Sequence, residues 1–270
     1  MPEGPEVRRM AEGLAKRIVG KELVEAEILG GKWLKKEPTG IDAIRKSLSN
    51  KSLNVDWVRV KGKFIYAKIG DLYMWNTLGM SGGWRDERGK HAHFALRFSD
   101  NSEVFFDDVR RFGNISFYPS YSEIDAKLKQ TGPDMLNERV SLDEFKQRLY
   151  KRPNKNICQL LMDQKVISGV GNYIKSEALY RARVNPHITP SEMTDDQMRS
   201  LWEWIITIIK TSYAQGGATL ATYTDMDNNH GDFVFSFQVY RKQMDPLGNK
   251  VVHEVTPDGR MTHWVPEVQV

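Results

Sequence analysis

The spacing of apolar residues, which changes about halfway along this 270-residue chain, constrains its fold more than any other feature. Between residues 22 and 118, apolar and polar residues alternate in short runs, such as Phe94/Leu96/Phe98, separated by Gly, Asn and Asp. Alternation at period two places every second side chain on the same face of a strand. The region therefore predicts an antiparallel β-sandwich or barrel, against which an N-terminal helix packs.

Helical spacing dominates the chain after this region. Ser141 with Glu144, and Thr194 with Gln197, have the spacing of capping boxes, in which the two side chains bond each other's backbone N–H groups. Each pair predicts the start of a helix, and the second helix is predicted to run to Tyr213.

The chain is accordingly predicted to be an α+β protein with three domains and one linker. Residues 1–125 form an N-terminal β-sandwich with flanking helices, and the polar residues 126–140 form the linker. Residues 141–232 form a helical domain that ends in a loop. Residues 233–270, where the strand pattern returns between turn residues, form a C-terminal hairpin.

The first residues of the chain carry its most distinctive chemistry. Removal of Met1, which is usual when the next residue is small, leaves Pro2 with a free secondary amine. An α-amino group titrates near ~8 and a lysine near ~10.4, so more of the terminal amine is unprotonated and able to attack an electrophilic carbon. Glu3 places a carboxyl beside this nucleophile, and Pro5 suits the first turn of a helix. The alternative is an ordinary Pro-Glu-rich N-terminal cap.

A helix is predicted immediately after these residues. Apolar residues recur at helical spacing up to Gly20, namely Val7, Met10, Leu14 and Ile18. The amine then lies just ahead of a helix N-terminus, whose positive end disfavours the ammonium form and favours nearby anions such as phosphate.

The composition of the chain limits the cell compartments and the binding partners that can be predicted for it. No apolar run reaches the ~18 residues that a membrane span needs, and no secretory leader is recognisable. The single cysteine, Cys158, excludes a disulfide framework and a multi-cysteine zinc site in this chain. These features predict an intracellular protein and leave a nuclear, cytoplasmic or viral location open. The net charge of +4 permits a polyanionic partner.

A glycine-punctuated turn between two predicted helices suits phosphate binding. Gly169 and Gly171 let the backbone approach a ligand closely, and Asn172 is predicted to cap the second helix. Free N–H groups at that helix start would bind a phosphate, with Lys165 adding charge. The alternative is a plain corner between two helices.

Two further turns combine a flexible apolar side chain with an arginine and an aromatic ring. Met80 lies in one turn, and Arg110 and Phe112 lie in a loop after a predicted strand. Such side chains can fill the gap that an extruded base leaves in a duplex and stabilise its former partner. The alternative is a methionine in the core and a solvated Arg-Arg-Phe edge.

Lys63, near the head of a strand, is a further candidate phosphate contact, and the alternative is a lysine that only solvates the turn. Arg260, in the last predicted hairpin turn, could reach into a duplex. The six histidines lack metal-ligand spacing except His91 and His93, which share one strand face without a third ligand nearby. We interpret these two as structural, and no metal site is predicted.

Taken together, these segments resemble the formamidopyrimidine-DNA glycosylase/endonuclease VIII family of base-excision repair enzymes. The similarity covers almost the whole chain in order. It rests on residues 2–6, 62–64, 78–82, 110–113, 161–165, 169–172 and 238–240.

The resemblance implies a β-sandwich, a helix–two-turns–helix domain and a C-terminal finger, with damaged DNA, double- or single-stranded, in the cleft between domains. It implies that Pro2 is the Schiff-base nucleophile and that Glu3 is the acid/base. The enzyme is expected to be a monomer that does not associate with membranes and needs no cofactor. The remaining assignments that it implies are the phosphate contacts Lys63, Lys165 and Asn172, the finger arginine Arg260, and the void-filling residues Met80, Arg110 and Phe112.

One departure from most bacterial members is informative. Their finger is closed by four cysteines and zinc, but residues 240–270 contain no cysteine and are similar to the zincless finger of animal and giant-virus endonuclease VIII-like members. Residues 216–220 look more like the formamidopyrimidine branch, so oxidised pyrimidines and oxidised purines both stay open as substrates.

The function implied is that of a bifunctional DNA glycosylase and AP lyase, which releases an oxidised base and cleaves the strand by β,δ-elimination. One alternative is a non-catalytic damaged-DNA-binding protein, which would not need the Pro2/Glu3 pair. Another is an N-terminal nucleophile hydrolase, but such enzymes attack with a Ser, Thr or Cys side chain, and proline has none.

Overall fold

A computed structural model of the protein describes residues 2–218 and 224–270. Its contacts divide the chain into two compact units. The first unit contains Pro2, Glu6–Gln130 and the described part of Ala218–His230, and the second contains Glu3–Pro5, Thr131–Gly217 and Gly231–Val270. Helix Tyr121–Gln130 extends into the predicted linker, residues 126–140. The bounds of the domains stay a prediction. Part of the predicted loop, residues 219–223, lies outside the described residues.

Helix α1 begins at Gly4 and ends at Ile18, as the spacing of its apolar residues predicted. Pro5 lies in its first turn, where a missing N–H leaves no bond unmade. Gly20, with a φ of 82°, reverses the chain after it. The four apolar residues of the predicted face are buried: Val7, Met10, Leu14 and Ile18.

Eight antiparallel strands follow among the described residues of the first unit. They are β1 (Glu22–Ile28), β2 (Leu53–Lys61), β3 (Phe64–Ile69), β4 (Leu72–Thr77), β5 (Gly82–Arg85), β6 (Ala92–Phe98), β7 (Glu103–Asp108) and β8 (Asn114–Tyr118). Their order is β5-β7-β6-β1-β2-β3-β4-β8, and β1 and β2 pair only through Glu22/Asn54 and Leu23/Leu53. This short pairing joins two four-stranded sheets.

The inner faces of these two sheets share one hydrophobic core, which confirms the predicted β-sandwich. Phe94 and Phe106 of one sheet and Ile65 and Phe117 of the other belong to the same buried cluster, together with the apolar face of α1. Aligned sheets that bury one face each produce this arrangement. Helix α2 (Ile41–Leu48) and helix α3 (Tyr121–Gln130), which the spacing did not predict individually, complete the unit.

The second unit contains helices between residues 142 and 214, where helical spacing predicted them. Its helices are α4 (Leu142–Tyr150), α5 (Ile157–Met162), α6 (Asn172–Arg181) and α7 (Asp195–Ala214). Ser141 Oγ accepts a hydrogen bond from Glu144 N at 3.1 Å, and Thr194 and Gln197 form both bonds of a capping box. Both predicted helix starts are therefore confirmed.

The C-terminal region contains less strand than its spacing predicted. Residues Phe233–Ser236 form a 3₁₀ turn, and only β9 (Val252–Val255) and β10 (Met261–Trp264) pair as a hairpin. The prediction of strand from Phe233 onward was wrong, since the aromatic residues there pack among other rings instead of forming a ladder: Phe233 and Phe237 both contact Tyr173. No helix in residues 2–218 and 224–270 is long and apolar enough to cross a membrane.

Candidate functional site

Glu3 is fixed by the start of helix α6. Glu3 is 2% exposed, and its carboxylate accepts hydrogen bonds from Tyr173 N at 2.8 Å and Ile174 N at 3.3 Å. These N–H groups lie in the first turn of α6, where they have no partner within the helix and where the helix dipole attracts an anion. The carboxyl group that follows Pro2 is therefore held in one position, and Pro2 itself is buried.

The glycine turn 169–172 contacts the N-terminal residues of the same unit. A Cβ on Gly171 would lie 2.2 Å from Glu3 Cδ, and a Cβ on Gly4 would lie 3.0 Å from Gly169 O. Gly4 N also donates a hydrogen bond to Gly169 O at 2.8 Å. The close approach that the glycines were predicted to allow is thus used by the chain's own Glu3 and Gly4.

Asn172 does not cap helix α6, so this part of the prediction was wrong. Gly171 is the N-cap residue, and Asn172 is the first residue of the helix. The Asn172 amide Nδ2 instead donates to Met261 O in the hairpin at 2.8 Å. The role of Asn172 as a phosphate contact stays a prediction.

Two charged residues of α6, which sequence reasoning missed, anchor the C-terminal region. Lys175 is 0% exposed, and its Nζ donates to Asp258 Oδ2 at 2.6 Å and to Thr262 Oγ1 at 2.8 Å. Glu177 is equally buried and accepts from the backbone N–H groups of residues 238–240 at 2.8–3.0 Å. The sequence did offer a signal for these buried charges, since Lys175 and Glu177 interrupt the apolar residues of the helix.

Lys165 and Arg260 place positive charge at the surface of the second unit. Both side chains are exposed. Arg260 precedes β10 in the hairpin turn, where its carbonyl accepts from Thr256 N at 3.1 Å. Gly259, in the same turn, has a φ of 73°, a left-handed conformation that favours glycine.

Lys63 lies in the turn between β2 and β3, after Gly62, whose φ is 57°. The turn follows the last pair of the ladder, Lys61 with Phe64. Lys63 is half-buried and belongs to the first unit. Its role as a phosphate contact stays a prediction.

The structure brings the three predicted void-filling residues into two adjoining loops. Met80, in the β4–β5 loop, is half-buried, whereas Arg110 and Phe112, in the β7–β8 loop, are exposed. The Arg110 guanidinium lies 5.0 Å from the centroid of the Phe112 ring, which is 58% exposed. A large aromatic ring with so little protein around it is available to another molecule.

Of the two histidines interpreted as structural, His93 is buried in the first unit, where its ring nitrogen Nε2 lies 3.0 Å from Asp108 O. Within the described part of the chain, no group of three or more His, Cys, Asp or Glu side chains could hold a metal ion. The free thiol of Cys158 is buried, and burial raises its pKa to about 11, so this group stays protonated at neutral pH.

His263 makes the hairpin sensitive to acid. Burial, and then the charges of His253, Arg241 and Lys175, lower the pKa of His263 from 6.5 to about 4. The unfolded chain therefore binds a proton at higher pH than the folded chain does. The contribution of the neutral His263 side chain to the free energy of unfolding is fully present above pH 6.5. It is lost progressively as the pH falls from 6.5 towards 4.

We expect the melting temperature to fall between pH 7 and pH 5, measured by thermal unfolding in buffers of equal ionic strength. His263→Phe keeps the ring and should reduce this difference, because the variant cannot take up the proton. His230→Phe, at an exposed position, is the matched control and should leave the difference unchanged. An undiminished acid effect in His263→Phe would contradict the assignment.

Comparisons with known proteins agree with this arrangement of sandwich, helices and hairpin. Residues 1–115 match the formamidopyrimidine-DNA glycosylase N-terminal domain, residues 131–224 its H2TH domain, and residues 226–270 its C-terminal domain. The chain belongs to the formamidopyrimidine-DNA glycosylase family. The family resemblance and the α+β fold predicted from the sequence are both confirmed.

Curated relatives and solved structures match over nearly the whole chain. The formamidopyrimidine-DNA glycosylase of Ligilactobacillus salivarius is 29% identical and covers 100% of this chain and 99% of its own length. That of Bacillus licheniformis is also 29% identical, with 98% of each chain covered. Lactococcus lactis Fpg, in a complex with DNA containing an abasic site, superposes with a TM-score of 0.86 at 26% identity and 99% coverage of both chains.

Proposed function

We propose that this DNA glycosylase of base excision repair attacks C1′ of a damaged nucleotide with the Pro2 nitrogen. The new C1′–N bond replaces the bond to the base, which leaves as the sugar ring opens. The proposed role of Glu3 is to take up and return protons during base release and ring opening. Loss of a C2′ proton from the resulting iminium then expels the 3′-phosphate by β-elimination, and loss of a C4′ proton expels the 5′-phosphate by δ-elimination. This strand cleavage is the AP lyase activity that is typical of the family.

The observation that carries this proposal is the position of Glu3. A buried carboxylate that accepts two hydrogen bonds from the start of α6 directly follows the candidate nucleophile. A fixed carboxylate is what proton transfer at one sugar atom requires. The alternative is that Glu3 only connects the N-terminus to α6 through these two hydrogen bonds.

We further propose that four residues contact DNA phosphates, because they place donors or positive charge in turns and at helix starts. They are Lys63, Lys165, Asn172 and Arg260. Neutralising phosphates releases counterions, so affinity for DNA should weaken steeply as salt rises. Met80, Arg110 and Phe112 are proposed to fill the space that the extruded nucleotide leaves.

The proposed substrate is an oxidised base in DNA. The curated relatives bear the name formamidopyrimidine-DNA glycosylase, and a Lactococcus lactis Fpg mutant was solved with DNA containing Fapy-dG. These comparisons favour formamidopyrimidine lesions over oxidised pyrimidines. Excision of both lesion types from matched duplexes, measured under single-turnover conditions, tests this choice.

Borohydride trapping tests the proposed nucleophile. Incubation with abasic duplex DNA and sodium borohydride should give a covalent protein–DNA adduct, because reduction of the iminium makes the C1′–N bond permanent. After trypsin digestion, mass spectrometry should place the sugar remnant on residues 2–8, with Met1 absent.

A remnant mapped to a lysine would refute Pro2 as the nucleophile. Tight binding to abasic DNA without any adduct or strand cleavage would instead support the alternative, a non-catalytic damaged-DNA-binding protein. Treatment without borohydride is the matched control and should give cleaved strands but no stable adduct.

A further inference from the structure

The Asp108 side chain joins the two loops that carry Met80, Arg110 and Phe112. Asp108 ends strand β7 and is 1% exposed. Its Oδ1 accepts a hydrogen bond from Ser81 Oγ in the β4–β5 loop at 2.6 Å. Its Oδ2 accepts one from Gly113 N in the β7–β8 loop at 2.7 Å. A single buried carboxylate therefore connects both loops.

Three further contacts reinforce this connection. Ser81 Oγ, while donating to Asp108, accepts a hydrogen bond from Arg110 N at 2.9 Å. Lys32 Nζ donates to Gly113 O at 2.6 Å, so both backbone groups of Gly113 are held by charged side chains. A Cβ on Gly79, whose φ is 63°, would lie 2.5 Å from Gly113 N. The two loops are thus in direct contact.

The loops need such polar anchors because burial does not fix their tips. Phe112 is exposed, and Arg111 has a φ of 59°, a left-handed conformation that is unfavourable for residues other than glycine. Hydrogen bonds to an ionised group are stronger than those between neutral groups. The Asp108 carboxylate can therefore maintain a loop conformation that its own residues disfavour.

We infer that Asp108 is a positioning residue, which holds Met80, Arg110 and Phe112 in the arrangement that enters the duplex when the damaged nucleotide leaves the stack. This inference rests on the proposed function of those three side chains. Loops that are ordered before binding lose less conformational entropy on entering the duplex. Replacing Asp108 should then change the reaction rate only for substrates that have an opposite strand and a base stack to be opened.

This dependence on the substrate separates positioning from a general structural role. Asp108→Asn replaces one acceptor oxygen by an NH₂ donor, so the side chain can accept from only one of Gly113 N and Ser81 Oγ. We expect excision of a formamidopyrimidine from a duplex to slow by about 10- to 100-fold, because misplacement by about an ångström has effects of this size. Cleavage of an abasic site in single-stranded DNA, which has no stack to fill, should change less than about twofold.

Two comparison variants make the test specific. Asp107→Asn introduces the same change one residue earlier, at a side chain that accepts from His91 N and contacts neither Ser81 nor Gly113 by hydrogen bond, and it should act like the wild type on both substrates. Phe112→Ala should reproduce the duplex defect. Combining it with Asp108→Asn should add little, since residues that act through one another are not additive.

Ser81→Ala removes the bridge to Arg110 N, whereas the Asp108 carboxylate stays in place and keeps its hydrogen bond from Gly113 N. This variant provides the test if Asp108→Asn does not fold. Its duplex-specific defect should be smaller but in the same direction. Equal slowing of both substrates by the folded variants would overturn the inference, as would full additivity with Phe112→Ala. Wild-type protein that cleaves neither substrate would overturn the proposed function as well, before any variant is compared.

Discussion

Pro2→Leu should lower the cleavage of abasic DNA by at least about 100-fold and abolish borohydride trapping at the terminus. A large residue at position 2 prevents removal of Met1, so the terminal nitrogen moves one residue away from its proposed position. Consecutive Cα atoms are about 3.8 Å apart, whereas about an ångström of misplacement can already slow a reaction 100-fold. Single-turnover strand cleavage and adduct formation measure the effect.

Pro5→Ala is the matched control for this variant. Pro5 is also a proline in the first turn of α1, but it carries no free amine. We expect Met1 to be removed as in the wild type and strand cleavage to remain within a few-fold of it, because alanine is well accommodated in helices. Full lyase activity in Pro2→Leu, with Met1 demonstrated by mass spectrometry, would eliminate the terminal amine as nucleophile.

Much of the fold follows from local signals in the sequence. Helix α1 was predictable because four apolar residues at helical spacing needed one buried face, and Gly20 could end the helix. The Thr194/Gln197 capping box marked the start of α7, since both of its hydrogen bonds join residues only three apart. Alternation at period two likewise revealed the strands of the sandwich, though not their order, which depends on pairing between distant segments.

The candidate site was less predictable because several of its contacts join residues far apart in the chain. Asn172 looked like a helix cap, but its amide has a partner in the hairpin, Met261 O, 89 residues later. The buried charges of Lys175 and Glu177 could not be assigned to a partner by spacing, since Asp258 and residues 238–240 approach them only in the folded unit. Buried charges require such partners, and local patterns do not identify them.

Glu3→Gln should separate base release from strand cleavage. Both carboxylate oxygens of Glu3 accept backbone hydrogen bonds at the start of α6, and glutamine, although nearly equal in shape, offers one acceptor oxygen and cannot exchange a proton. Loss of a general acid or base costs about 10²- to 10⁴-fold in rate. We expect a loss of this size in excision of a formamidopyrimidine, measured under single-turnover conditions.

Cleavage of a preformed abasic site should decline much less in Glu3→Gln, because its sugar has already lost the base and opens to the aldehyde without the enzyme. Glu12→Gln makes the same substitution later in α1, where Glu12 pairs with Arg8 at 2.8 Å, and should leave both rates near those of the wild type. If Glu3 served only to connect the N-terminus to α6, its replacement would misplace Pro2 and slow both reactions equally. The ratio of excision to abasic-site cleavage therefore distinguishes proton transfer by Glu3 from a purely structural contact.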